Sequence, residues 1–177
     1  MTPTRNDAKT RTPQEVAELV QTVSDDLVRY AFCVVGEVNA AEEVALKAMA
    51  DFVYRNTYRA LSTAYLWRMT YTRALDYLRR KRHEASLSGL EDVLSAGSDV
   101  AEEAEQAERH RLLYRAIASL PVDYRNALYL CYLEGFSIED AAKVMGKKVK
   151  QVYNLLARGK VSLREWFAKE GYRYEDL

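Results

Sequence analysis

The chain has 177 residues, enough for one ordinary domain or two small ones, and 49% of them are apolar, so a buried core is expected. Seven glycines and three prolines are too few for an all-β chain with many tight turns, while abundant Ala, Leu, Glu, Lys and Arg favour helix; the expected class is all-α. Formal charge is balanced, 26 basic against 26 acidic side chains, so the sum gives no sign of a polyanion ligand.

The first stretch, "MTPTRNDAKTRT", is polar and has no apolar core of a signal peptide; residues 1–12 read as a disordered tail. No run reaches the length that a bilayer crossing needs, so no membrane insertion is expected. Pro13 then opens a helix with Val16, Leu19, Val20, Val23, Leu27 and Val28 at three- and four-residue steps, breaking near Gly36 and Asn39. A second helix is predicted from about Ala40 to Arg55, with Val44, Met49, Phe52 and Val53 as its buried stripe. "RNTYRALST" reads as a break. A third helix is predicted from about Ala64 to His83, closing the first domain (13–83) in the cluster "RRKR".

Residues 84–104 are rich in Ser, Gly and acids and read as a flexible acidic linker. A second helical domain is predicted over 105–168, followed by a tail, 169–177. Pro121 stands where a helix starts without needing its missing N–H, and Gly135 where a helix ends in a left-handed residue.

The zero sum hides segregation. Leu66 to Arg82 carries Arg68, Arg73, Arg79, Arg80, Lys81 and Arg82 against Asp76 alone. Glu84 to Glu108 carries eight acids and no Lys or Arg. Lys143 to Arg164 carries seven basic side chains and no acid. A field depends on where charge sits, so two basic elements about an acidic spacer suggest two polyanion contacts.

The last basic element has the spacing of a helix-turn-helix. Ser137 is a good N-cap with Asp140 three residues on. Ile138, Ala141, Ala142 and Met145 share a face, Gly146 marks the turn, and Val152, Leu155 and Leu156 face inward. Lys147, Lys148, Lys150, Gln151, Tyr153, Asn154 and Arg158 are then placed outward, amines toward phosphates and amides toward base edges. In the first basic element, "YLWRMTYTRALDYLRRKR", Leu66, Met69, Leu75 and Leu78 are placed inward. Tyr65, Trp67, Tyr71 and Tyr77 interleave with cations, a mixture suited to unstacked bases as well as to a core.

Cys33 and Cys131 lie in apolar surroundings and read as free, buried thiols. Neither they nor His83 and His110 have ligand spacing, so no metal or other cofactor is implied. No Gly-rich phosphate loop or nucleophile motif is present, which argues against an enzyme.

Together the two halves resemble a bacterial sigma factor of the extracytoplasmic-function group, as a divergent member. "LVRYAFCVVGEVNAAEEVALKAMADFVYR" with "YLWRMTYTRALDYLRRKR" is similar to that family's region two. "LPVDYRNALYLCYLEGFSIEDAAKVMGKKVKQVYNLLARGKVSLREWF" is similar to its region four. The resemblance implies a cytoplasmic initiation factor whose partners are core RNA polymerase, double-stranded promoter DNA and the melted minus-ten strand, with an anti-sigma factor left open. It implies a polymerase contact at Glu42, Leu46 and Lys47, a minus-ten contact at Thr72, Arg73, Asp76, Arg79, Arg80 and Arg82, and a minus-thirty-five contact by the outward residues of the recognition helix. The chain departs from the family at Leu46-Lys47, where a Gln-Glu pair is usual, and at Thr72, usually Asn. Lys148 replaces a Ser or Thr N-cap, and Tyr153 and Leu155 replace positions that are often basic. Two other functions fit the residues: a helix-turn-helix regulator that never joins polymerase, and a degenerate sigma-like interaction module.

Overall fold

The structure is a computed structural model that describes residues 11–56, 60–88, 112–113 and 115–172. Helix α1 (Pro13–Val35) begins on a reciprocal cap: the Glu15 N–H donates to Thr12 Oγ1 at 3.2 Å and the Thr12 N–H to Glu15 Oε2 at 2.8 Å. It closes at Gly36, whose N–H donates to the Phe32 carbonyl at 2.8 Å. Helix α2 (Val38–Asn56) starts two residues before the predicted Ala40. Helix α3 (Thr63–Ser88) runs past His83, so residues 84–88 of the expected linker are helical; the rest of that linker lies outside the described residues, as do residues 105–111.

Small side chains set the packing of the first three helices. Ala41, Ala45 and Ala48 recur at helical spacing on α2 and are fully buried against α1 and α3, alongside Tyr30, Ala31, Phe52, Leu66 and Trp67. Each large side chain removed from water here is worth roughly 1.5–3 kcal/mol. Val53, predicted inside, is 43% exposed: it is adjacent to Phe52 and turns off the buried stripe. Leu66 is buried as predicted, while Met69, Leu75 and Leu78 are half-buried at the edge of the core.

In the second half, residues 112–113 and 115–118 are helical, and Pro121 precedes helix α4 (Val122–Leu128). The sequence "YLCYL" then widens into a π-helical turn, Tyr129–Leu133, a local excess residue that hydrophobic periodicity did not foretell. Helix α5 (Ile138–Met145) and helix α6 (Val149–Lys169) follow. Most buried residues of both halves form one cluster, in which Tyr30 meets Tyr129 and Trp67 meets Phe136, while Leu112, Ala116 and Phe167 form a second, smaller one.

Candidate nucleic-acid interface

Helices α5 and α6 build the helix-turn-helix as predicted. Ser137 Oγ accepts the Asp140 N–H at 3.1 Å, and Glu139 and Asp140 place negative charge at the positive end of α5. Ala141 and Ala142 are buried where α6 crosses. Gly146 has φ 63°, and the chain closes there with Gly146 N–H on the Lys143 carbonyl (3.3 Å) and Lys147 N–H on the Ala142 carbonyl (2.9 Å). Only glycine takes that left-handed step without strain.

On α6 the buried stripe is Val152, Leu156, Gly159 and Phe167. Gly159 is there for proximity: a Cβ would stand 3.0 Å from Leu128 Cδ1 and 3.4 Å from Tyr124 Cβ. Lys150, Asn154 and Arg158 follow at four-residue steps on the opposite side, all exposed, with Gln151 and Tyr153 flanking them. Leu155, expected inward, is half-buried.

Two of the predicted recognition residues are committed elsewhere. Lys147 is half-buried, its Nζ 3.0 Å from Asp123 Oδ2. Gln151 Oε1 accepts the Lys148 N–H at 2.8 Å, while the Lys148 ammonium, which has no acceptor atom, offers the helix no cap.

On α3, Thr72, Asp76 and Arg79 face away from the core at helical spacing and are exposed, as are Arg80 and Arg82. Thr72 Oγ1 donates back to the Arg68 carbonyl at 2.9 Å. Asp76 pairs with Arg79 at 2.9 Å, and Arg73 pairs with Asp51 of α2. The Arg80 guanidinium carbon stands 5.8 Å from the Tyr77 ring centre. Trp67 and Tyr71 are 1% and 4% exposed, so both are core residues in this conformation; Tyr65 and Tyr77 are half-buried.

Arg73, Asp76 and Arg80 line a depression of about 120 Å³ together with Glu43, Val44 and Lys47, so the α3 face adjoins the α2 face. On α2, Glu42, Leu46 and Lys47 are exposed, Leu46 at 65%, and Lys47 pairs with Glu43. At the mouth of α2, Glu37 receives Tyr77 Oη at 2.7 Å and the Lys81 ammonium. The Lys81 and Tyr77 hydrogen bonds hold its carboxyl below the ordinary range. Partial burial, then Glu37, pushes the Tyr77 hydroxyl up to about 12.

Sequence reading missed a set of residues joining the halves. Tyr30 Oη donates to Asn126 Oδ1 at 2.5 Å, and Tyr71 Oη to Asp123 Oδ1 at 3.1 Å. Arg68 Nη1 donates to the Lys143 carbonyl at 3.4 Å, and its guanidinium lies over Gly146. These pairings span 52 to 96 residues, and no local pattern signals them.

Cys33 and Cys131 are free and half-buried, and burial pushes the Cys33 thiol up to about 12. Among the described residues no helix is long and apolar enough to cross a membrane, and no group of three or more His, Cys, Asp or Glu side chains is placed to hold a metal ion.

The family model "Sigma-70, region 4" matches residues 110–163. The chain is 28% identical over 158 residues to the ECF RNA polymerase sigma factor SigE of Mycolicibacterium smegmatis, covering 86% of this chain and 61% of that protein. It is 32% identical over 106 residues to the ECF RNA polymerase sigma factor SigM of Mycobacterium tuberculosis, covering 60% of this chain and 52% of that one. The chain thus spans roughly half to three fifths of these relatives. The fold matches the sigma factor RpoE of Bartonella quintana, solved in complex with the anti-sigma factor NepR. The TM-score is 0.73 at 20% identity, over 86% of this chain and 96% of that one.

Proposed function

We propose that this chain, which belongs to the extracytoplasmic-function sigma factors as a divergent member, is a dissociable transcription initiation factor. It binds core RNA polymerase through Glu42, Leu46 and Lys47 on α2. It meets the minus-ten element through α3, with Thr72, Arg73, Asp76, Arg79, Arg80 and Arg82. It docks α6 in the major groove at minus thirty-five, where Lys150 and Arg158 meet phosphates and Asn154 reads a base edge. It acts in the cytoplasm and catalyses no reaction of its own.

One observation carries this best. The region-four match includes a helix-turn-helix whose stretch from Lys143 to Arg164 carries seven basic side chains and no acid, in a chain that also holds a second basic helix beside an exposed α2 face. One DNA-reading module alone would not need the second. Tyr65 and Tyr77, rather than Trp67 and Tyr71, are the aromatics within reach of an unstacked base while the halves are packed.

The test is assembly. Purified chain mixed with core polymerase co-elutes on size exclusion and supports transcription from a promoter selected by the holoenzyme. Failure to co-elute overturns the proposal, and a stable homodimer protecting a palindrome would replace it with a free regulator.

A further inference from the structure

We infer that Tyr153 is a specificity residue of α6: its ring covers the C5-methyl group of a thymine in the major groove, on a base pair adjoining the one that Asn154 reads. This rests on the role of α6 proposed above and adds which base it selects. Helix α6 buries Val152, Leu156, Gly159 and Phe167. Its first two turns nonetheless hold two large apolar side chains in water, Val149 at 38% and Tyr153 at 57% exposed, one turn apart. In a helix-turn-helix the N-terminal part of the second helix meets the base edges. Thymine alone of the four bases carries a methyl group in the major groove, and an apolar side chain is what recognises it. A tyrosine ring covers such a group at low cost in entropy, because only two side-chain angles have to be fixed.

The neighbours of Tyr153 narrow the choice of base. Gln151 carries an amide that could hold adenine by two bonds, but its Oε1 accepts the Lys148 N–H at 2.8 Å and is spent on starting the helix. Lys147 is half-buried with its Nζ 3.0 Å from Asp123 Oδ2. Asn154 is exposed and follows Tyr153 directly. Its carbonyl and amide suit the N6 and N7 positions of adenine. Successive side chains diverge by about 100° around a helix axis, so the tips of Tyr153 and Asn154 reach adjoining base pairs. Lys150 and Arg158, cations that suit phosphate or guanine, lie four residues to either side of Asn154 on its stripe, away from the side of Val149 and Tyr153. The reading edge at the start of α6 is therefore part amide and part apolar, and two adjoining A·T pairs satisfy both parts. The aromatic edge is continuous with a helix that is already basic, so duplex DNA is the occupant it fits.

The experiment selects a minus-thirty-five duplex from a random pool, with the holoenzyme and, in parallel, with the full chain alone. Each thymine of the selected duplex is then replaced in turn by deoxyuridine, which lacks only the methyl group, and affinity is read by anisotropy. The expected result is one thymine at which the replacement weakens binding about fourfold, the worth of one methyl group taken from water. Tyr153→Phe keeps that sensitivity, because the ring and not the hydroxyl makes the contact. Tyr153→Ala loses it, and binds the thymine and deoxyuridine duplexes alike. A parent protein indifferent to the replacement at every thymine overturns the inference, as does a Tyr153→Ala protein that keeps the parent's sensitivity. Loss of core polymerase binding in Tyr153→Ala overturns it too, since the ring then touches protein. If the parent chain itself does not bind core polymerase, the initiation-factor function falls, and the parallel titration of the chain alone decides the thymine contact.

Discussion

The Gln151 side-chain oxygen accepts the backbone N–H of Lys148 at 2.8 Å, so the recognition helix starts on half of a capping box. Gln151 compensates at N3 for an N-cap residue that cannot accept a hydrogen bond. Gln151→Ala is expected to cost about 0.5–1 kcal/mol, a fall of a few degrees in the melting temperature. Gln151→Glu keeps the acceptor and adds favourable charge at the helix N-terminus, so it melts at or above the parent. It should nonetheless weaken DNA binding. Circular dichroism melts of the three proteins check this; equal melting of Gln151→Ala and parent would remove the cap.

Gly159 fixes how closely α6 approaches α4. Its missing Cβ would meet Leu128, itself 4% exposed and unable to retreat freely. Gly159→Val drives two further carbons into that contact and is expected to destabilise by about 1–3 kcal/mol despite removing a helical glycine. Denaturant unfolding gives the difference. A neutral result would mean that the two helices slide apart at little cost.

The helix-turn-helix was legible because its signals are local: a cap at Ser137, alanines at the crossing, a glycine at the turn. The first three helices are legible from their periodicity, apart from Val53, which follows Phe52 but turns off the buried stripe, and the end of α3 at Ser88. Trp67 and Tyr71 show the limit of that kind of reading. Aromatics among cations suit both stacking and burial, and what decides is Phe136 and Asp123, far away in the chain. The π-helical turn was invisible for the opposite reason: one extra residue in a turn leaves the apolar pattern of "YLCYL" unchanged.

Glu37 ties the start of α2 to the end of α3. Its carboxyl is lowered first by the Lys81 hydrogen bond and then by Tyr77. A group whose folded value is depressed contributes stability above its unfolded value and loses it as pH falls through the folded one. Glu37→Gln is therefore expected to be less stable than parent at neutral pH, by under about 1 kcal/mol because the pair is partly exposed. The gap should close as the pH drops below the ordinary glutamate value of 4.5. Unfolding free energies across pH 3 to 7 (roughly the window set by the shift) test the sign; a gap that widens in acid would contradict it.

Lys150 and Arg158 are exposed and project from the side of α6 opposite its buried stripe. Lys150→Glu or Arg158→Glu should weaken binding of the holoenzyme to a minus-thirty-five duplex and lower the slope of log affinity against log salt by about one per lost phosphate contact. Association with core polymerase should be untouched. Anisotropy titrations at several salt concentrations separate the two effects. Loss of core binding in either variant would mean that this face of α6 touches polymerase rather than DNA.

Leu46 is an apolar side chain 65% exposed on α2, one turn from Glu42 and beside Lys47. Its removal costs the free protein almost nothing, so any effect on assembly reports the interface itself. Leu46→Asp should leave the melting temperature within about a degree of parent and weaken core polymerase binding by roughly tenfold or more, as loss of an apolar anchor does at a desolvated contact. Lys47→Glu sets a like charge against Glu43 one turn earlier, a penalty of about 0.2–0.5 kcal/mol, and should shift core affinity in the opposite sense if the polymerase face is basic there. Titration of labelled chain with core polymerase measures both. Unchanged affinity in Leu46→Asp would move the polymerase contact off this face of α2.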